Sequence, residues 1–259
     1  MKTVKTVLIS GASGAIGLAC VNKFKLKGWR TICLTTCIRS EDGTRLEDEN
    51  IQHRNNEIWV RFIIGDNNLS LLKKDLSSLL ISDLDALVCC QATRQENHSS
   101  ELLPIKYWNR VIDIDLTGTF QLNKLAAQLM MPRKCGRIIN LSSIHAFQSF
   151  PLRVAYATAK AGIVGMTQAL ATEWGPYGIT VNAIAPGYIA SPRVEETFSK
   201  FPEAEKNVVG STPTGKIGVP EDVADLVYYL ASDEGSGHIN GQTITIDGGR
   251  SKNCWWRLY

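Results

Sequence analysis

The chain has 259 residues, 44% of them hydrophobic and 20% charged, with a formal net charge of +3 at pH 7. That length suits one large α/β domain, and the apolar content is enough to bury a sizeable core, which excludes an intrinsically disordered chain. The small charge, with no Lys/Arg run interleaved with aromatics, gives no reason to expect a nucleic-acid partner.

In chain order, Thr6–Ser10 reads as a short apolar strand and 15–27 as a helix. A second strand is expected at 31–35, followed by a polar stretch, 41–57, with charges of both signs that reads as a surface helix or loop. Strands at 58–64 and Ala86–Cys89 precede a long helical pattern at 106–130. Then come a strand at 137–141, a helix at Val154–Trp174, a strand at 180–185, a helix at 221–231 and a last strand at Thr243–Ile246. Uniformly apolar strands separated by helices signal a parallel sheet covered on both faces. Right-handed crossovers then make a doubly wound, Rossmann-type sheet of seven strands in a single domain spanning 1–259, with its ligand crevice at the carboxyl ends of the strands. Residues 191–214 break the pattern, with Pro192, Pro202, Gly210 and Pro213 around a charged helical stretch at 193–206. A segment this long after a crevice-facing strand is expected to be a substrate lid.

Seven cysteines form no disulfide or zinc ladder, and most sit in apolar runs. They read as small buried hydrophobes in a reducing compartment. No run approaches the roughly 18 apolar residues of a membrane span, and a strand-like run already begins at Thr6, which leaves no room for a signal peptide. A soluble, cytoplasmic protein is expected. His53, His98 and His238 have no metal spacing, so no metal site is expected.

The first strand runs into Ser10-Gly11-Ala12-Ser13-Gly14-Ala15-Ile16-Gly17 and then a helix. Glycines there let the backbone turn tightly and bring amides and a helix N-terminus against a pyrophosphate. Tyr156 and Lys160 lie four apart on a helical stretch and share one face. Ser143 follows the strand at 137–141, so a strand end and the next helix can converge on one point. Reducing a carbonyl needs a proton donor at its oxygen; an ordinary phenol is a poor one near neutrality, and a neighbouring ammonium favours the phenolate.

With Asn182-Ala183-Ile184-Ala185-Pro186-Gly187-Tyr188-Ile189 and the closing Asn240-Gly241-Gln242-Thr243 to Asp247-Gly248-Gly249, the sequence resembles the short-chain dehydrogenase/reductase family over nearly its whole length. The resemblance implies that Tyr156 is the general acid/base, that Ser143 orients the substrate oxygen, and that Lys160 tunes the tyrosine and binds ribose. It places a dinucleotide on Gly11, Ser13, Gly14, Ile16 and Gly17, with Thr36 and Arg39 at the second strand's end and Asp66 and Asn67 near the adenine. Ala92, Pro186, Gly187, Ile189 and Ser191 would border the nicotinamide. His145, two residues past Ser143, reads either as a substrate-pocket residue or as a packed or exposed loop histidine.

Three departures stand out. The family's Asn-Asn-Ala-Gly reads Cys89-Cys90-Gln91-Ala92, the middle glycine of the cofactor turn is Ala15, and the catalytic asparagine of the long central helix is Asp115. A carboxylate there, near Lys160, is expected to hold that lysine charged. Where NAD users carry an acidic residue, this chain has Thr35, with Arg39 close by. That favours NADP, with NAD as the alternative. Reduction of a 3-oxoacyl thioester is the expected reaction, on a small-molecule or carrier-bound substrate, in a homotetramer or homodimer. Oxidation of a sugar or secondary-metabolite alcohol and a non-catalytic cofactor-binding subunit are the alternatives. Arg133, Lys134 and Arg137 form a small basic patch, read either as a dock for an acidic carrier or as a solvated helix end.

Overall fold

The computed structural model describes residues 4–36, 38–39, 45–46, 51–63, 68–79, 83–93, 96–148, 150–232 and 235–252, without the side chains at 38, 39, 45, 46, 68 and 69. In chain order its main elements are β1 (Thr6–Ser10), α1 (Ala15–Leu26), β2 (Arg30–Thr35), β3 (Ile38–Arg39), β4 (Arg45–Leu46), β5 (Ile51–Arg54), β6 (Glu57–Arg61), α2 (Asn68–Ser78) and β7 (Ala86–Cys89). After them come α3 (Ile105–Val111), a π-helical turn (Ile112–Thr117), α4 (Gly118–Met130), β8 (Gly136–Leu141), α5 (Val154–Trp174), β9 (Ile179–Pro186), α6 (Pro192–Lys200), α7 (Pro202–Gly210), α8 (Pro220–Ala231) and β10 (Thr243–Ile246).

One sheet of eight strands runs β10-β9-β8-β7-β1-β2-β6-β5. Seven of its strands are parallel, and alternate residues of the inner ones feed opposite cores. Leu8 of β1 packs with Leu34, Leu87, Leu122, Met130 and Ile138. Its neighbours Val7 and Ile9 pack on the other face with Phe24, Val88, Ile184 and Val227. Burial on both faces explains why these strands read as apolar runs rather than alternating ones. Because β2 and β6 lie on one side of β1, and β7 to β10 on the other, the strand order reverses between β1 and β7, which places the crevice there.

The eighth strand is a correction to the expected seven. Within the stretch read as a surface helix or loop, β5 pairs antiparallel with β6 across a two-residue turn, and Asn55 sits in it at φ 51°. Asparagine tolerates that left-handed conformation better than most residues. The Glu57 carboxylate, bonded by Lys25 Nζ (2.8 Å) and Trp59 Nε1 (2.9 Å), fastens the hairpin to α1.

The helix expected at 106–130 forms with one interruption. Its middle is a π-helical turn centred on Asp113 to Asp115, and π-turns of this kind often mark functional positions. Gly162 of α5 passes so close to it that a Cβ there would lie 2.7 Å from Leu116 Cδ2. The charged stretch at 193–206 is two helices rather than one, since Pro202 starts α7 directly after Phe201. Among the described residues, no helix is long and apolar enough to cross a membrane and no cluster of potential metal ligands occurs. Arg133 of the basic patch is already paired, with Asp85 (2.6 Å) and Asp83 (3.5 Å).

Candidate active site

A cavity of about 370 Å³ opens at the carboxyl ends of the strands, floored by the loops after β7, β8 and β9 and closed on one side by α6. Ser143, Tyr156 and Lys160 all face it. Ser143 leaves β8 in extended conformation, and its Oγ accepts from the His145 amide (3.2 Å), which starts a short turn at Ile144–Ala146. Tyr156 and Lys160 occupy successive turns at the start of α5.

Two bonds stitch β8 to that helix. Lys160 Nζ donates to the Leu141 carbonyl (2.8 Å), and Ser142 Oγ donates to the Lys160 carbonyl (2.9 Å). Lys160 is only 2% exposed, and its ammonium lies 5.6 Å from the centre of the Tyr156 ring. This wall of the cavity therefore sets together a phenol, a hydroxyl able to donate or accept, and a buried cation beside the phenol ring.

His145 meets the Tyr156 ring edge-on at 5.6 Å and stacks on Phe150 at 4.5 Å. Burial first, then the charges of Arg153 and Arg250, push its pKa down to about 4. It is neutral near pH 7, so in the site it acts through one N–H and one ring nitrogen acceptor.

The glycine turn fits a dinucleotide phosphate. Gly11 sits at φ 64°, and a Cβ there would come 2.7 Å from the Gln91 amide nitrogen; one on Gly17 would collide with the Gly11 carbonyl. The turn closes through Gly14 N–H to the Gly11 carbonyl (3.0 Å). Gly14 then starts α1 with no side-chain cap and no acidic residue in the first helical turn. The first amides of the helix and its dipole thus face the crevice without a competing carboxylate, as an anion site requires. Ser13 Oγ pairs with Thr35 Oγ1 (2.9 Å), which joins this turn to the end of β2.

The nicotinamide-side positions largely converge. Ile16, Ala92, Pro186, Gly187 and Ile189 line the cavity. Gly187 is required where it stands, because a Cβ would lie 2.7 Å from Asp247 Cβ. Ser191 instead caps α6, accepting from Val194 N–H (3.3 Å), and Thr36 is exposed at the end of β2. Asp66, Asn67 and the Arg39 side chain lie outside the described residues.

Asp115 is fully buried and off the cavity wall. Its Oδ1 accepts from both the Thr93 amide (2.6 Å) and the Thr93 hydroxyl (2.7 Å), while Oδ2 has no partner among the described residues. Its carbonyl accepts from Thr119 Oγ1 (2.7 Å), which helps set the π-turn. The carboxylate therefore fastens the loop after β7 rather than pairing with Lys160, whose ammonium is bonded to Leu141.

Sequence reasoning passed over Arg153, Tyr188, Arg193 and Phe198, all on the cavity wall. Arg153 carried one usable signal: it stands one helical turn before Tyr156, so any pocket around the tyrosine reaches it.

A family profile described as Enoyl-(Acyl carrier protein) reductase matches residues 11–251. The 3-oxoacyl-[acyl-carrier-protein] reductase FabG of Rickettsia felis is 39% identical, covering 95% of this chain and 97% of its own. The 3beta-hydroxysteroid dehydrogenase 1 of Eggerthella lenta is 34% identical, covering 95% and 93%. Among solved structures, a putative gluconate dehydrogenase from Agrobacterium tumefaciens superposes with a TM-score of 0.84 at 28% identity, covering 96% of each chain.

Proposed function

The chain belongs to the short-chain dehydrogenase/reductase family, and from that membership we propose that it reduces a ketone to a secondary alcohol with NADPH, the ketone being a 3-oxoacyl compound of the kind carried as a thioester. The observation that carries this reading is the meeting of Ser143, Tyr156 and Lys160 in one cavity beside an uncapped helix N-terminus. The name of the 39% identical relative supports the acyl class.

Gly11 to Gly17 and the start of α1 would hold the pyrophosphate, and Pro186 to Ile189 would border the nicotinamide. Bound there, the reduced nicotinamide supplies a hydride to the carbonyl carbon. Tyr156 gives its phenolic proton to the carbonyl oxygen as that oxygen gains charge, so the product is the neutral alcohol. Ser143 hydrogen-bonds the same oxygen and fixes the carbonyl's direction, and Lys160, held by the Leu141 carbonyl, steadies the phenolate left behind. His145 completes the substrate side as a neutral ring. At the adenosine end, the hydroxyls of Ser13 and Thr35 offer no carboxylate to repel a 2′-phosphate, which favours NADP over NAD.

Residues 191–214, as α6 and α7, act as the lid over the substrate. Exposed apolar side chains at Leu102, Ile105 and Phe120 support a homo-oligomer, dimer or tetramer, and the free cysteines suit a cytoplasmic setting. The test is a panel of ketones, including an acetoacetyl thioester, with NADPH and NADH followed by nicotinamide absorbance. NADPH consumption matched by alcohol formation is expected, with NADPH preferred. No turnover of any ketone by a protein that binds NADPH would contradict the reading.

A further inference from the structure

Among the described residues, three cations and no carboxylate line the cavity: Arg153, Lys160 and Arg193. Lys160 is committed to the Leu141 carbonyl. Arg153 is not so committed. Its Nη1 is buried and has no hydrogen-bond partner among the described residues. A buried guanidinium N–H without an acceptor is costly, and such groups are normally satisfied.

The surroundings make the deficit sharper. Around Arg153 stand Arg193 and the rings of Tyr107, Tyr156 and Tyr188; burial first, and then Arg193, lower its pKa. Arg250 adds charge behind the pocket, 5.0 Å from the Tyr188 ring and bonded to the Val208 carbonyl and Ser211. Glu96 borders a small second cavity with Arg153, but its carboxylate bonds His98 (3.1 Å). Leu152, immediately before Arg153, has φ 65°, a conformation branched side chains avoid. The chain thus enters α5 through a strained residue that brings an arginine to the cavity one turn ahead of Tyr156.

We infer that the ketone reduced here is an oxo acid, whose free carboxylate is taken by Arg153 while its carbonyl rests on Ser143 and Tyr156. Arginine is suited to this because its planar fork of N–H donors matches a carboxylate and keeps its charge when buried. The inference rests on the ketone-reductase reading and departs from its acyl class: the substrate is a free acid and not a thioester. Arg153 is grouped with the aromatic rings of the substrate side, which separates it from the phosphate-binding glycine turn.

The test uses the 3-, 4- and 5-oxo acids of short chains, each against its own methyl ester, with wild type, R153Q and R153K. In wild type, the best acid is expected to exceed its ester in kcat/KM by about 10- to 100-fold, the range of a charge-assisted hydrogen bond. R153Q should bring that ratio close to one, and R153K should restore part of it. NADPH affinity, read by fluorescence, should change far less than the ratio. Esters as good as acids in wild type, a ratio unchanged in R153Q, or NADPH affinity falling in parallel would each overturn the inference. Calorimetry separates the two readings. Acids that bind wild type, lose affinity in R153Q and yet are never reduced would uphold the anion site and sink the reductase reading. No binding and no turnover of any acid would overturn the inference itself.

Discussion

The two walls of the cavity are built differently. The wall of β8 and α5 carries Ser143, Tyr156 and Lys160, and Lys160 is tied to the end of β8 twice, its ammonium to the Leu141 carbonyl and its carbonyl to the Ser142 hydroxyl. The facing wall, α6, follows Ser191 in an excursion between β9 and α8, and brings Arg193, Val194, Thr197 and Phe198. Only Phe198 among the side chains of α6 is buried. The wall read as catalytic thus rests on the sheet, while the facing wall is a helix that lies outside it.

The sharpest way to break this comparison is to remove charge from the fixed wall. Lys160→Met keeps the stem and deletes the ammonium, and turnover is expected to fall by about 10²- to 10⁴-fold, with weaker cofactor binding as well. Near-normal kcat in that variant would dissolve the distinction between the walls. Next comes the support beneath the fixed wall. Asp115→Ala strands the buried Thr93 amide and hydroxyl and should cost about 2–4 kcal/mol of unfolding free energy by urea titration, one to two unmatched groups' worth. Asp115→Asn keeps the Oδ1 acceptor and should cost little, with activity unchanged or raised.

On the facing wall the expected effects are smaller and of a different kind. Phe198→Ala opens the face that stacks beside Tyr188 at 6.5 Å. KM for the ketone should rise about 10-fold with kcat changed less than about threefold, the signature of lost uniform binding. A large kcat loss with unchanged KM would move the lid into the chemistry.

The smallest effect concerns His145, and it appears only in acid. Burial holds its pKa down to about 4 in the folded protein, against the ordinary 6.5 of a solvated imidazole. The unfolded chain therefore binds the proton first as pH falls. Stability is complete above about pH 6.5, declines between 6.5 and 4, and loses no more from this group below 4. His145→Gln should flatten that limb in urea midpoints taken at pH 7, 5.5 and 4.5. An unchanged limb would show that the ring is not held neutral.

The same contrast governs what the sequence made legible. β1 and β7 were readable to their ends because a strand buried on both faces must be apolar throughout, β10 from its two isoleucines alternating with threonines, and α5 as an alanine-rich run without proline. Strand β5 was not, since at the sheet's edge Gln52, His53 and Arg54 face surroundings that accept polar groups, and only the Asn55-Asn56 turn betrayed the hairpin. The π-turn at Asp115 changes hydrogen-bond register without changing the apolar period, so no pattern could reveal it. Ser143, Tyr156 and Lys160 were found because their spacing is imposed by one strand end and one helix face. Arg153 escaped because its meaning depends on a missing partner, which only the packed cavity exposes.

The most direct test of the account is Tyr156→Phe, read twice on one preparation: NADPH affinity by fluorescence, and ketone-dependent NADPH oxidation. Only a phenolic hydroxyl is removed, so the account predicts near wild-type NADPH affinity with turnover down by about 10²- to 10⁴-fold. A Tyr156→Phe enzyme that reduces the ketone at close to the wild-type rate would contradict it.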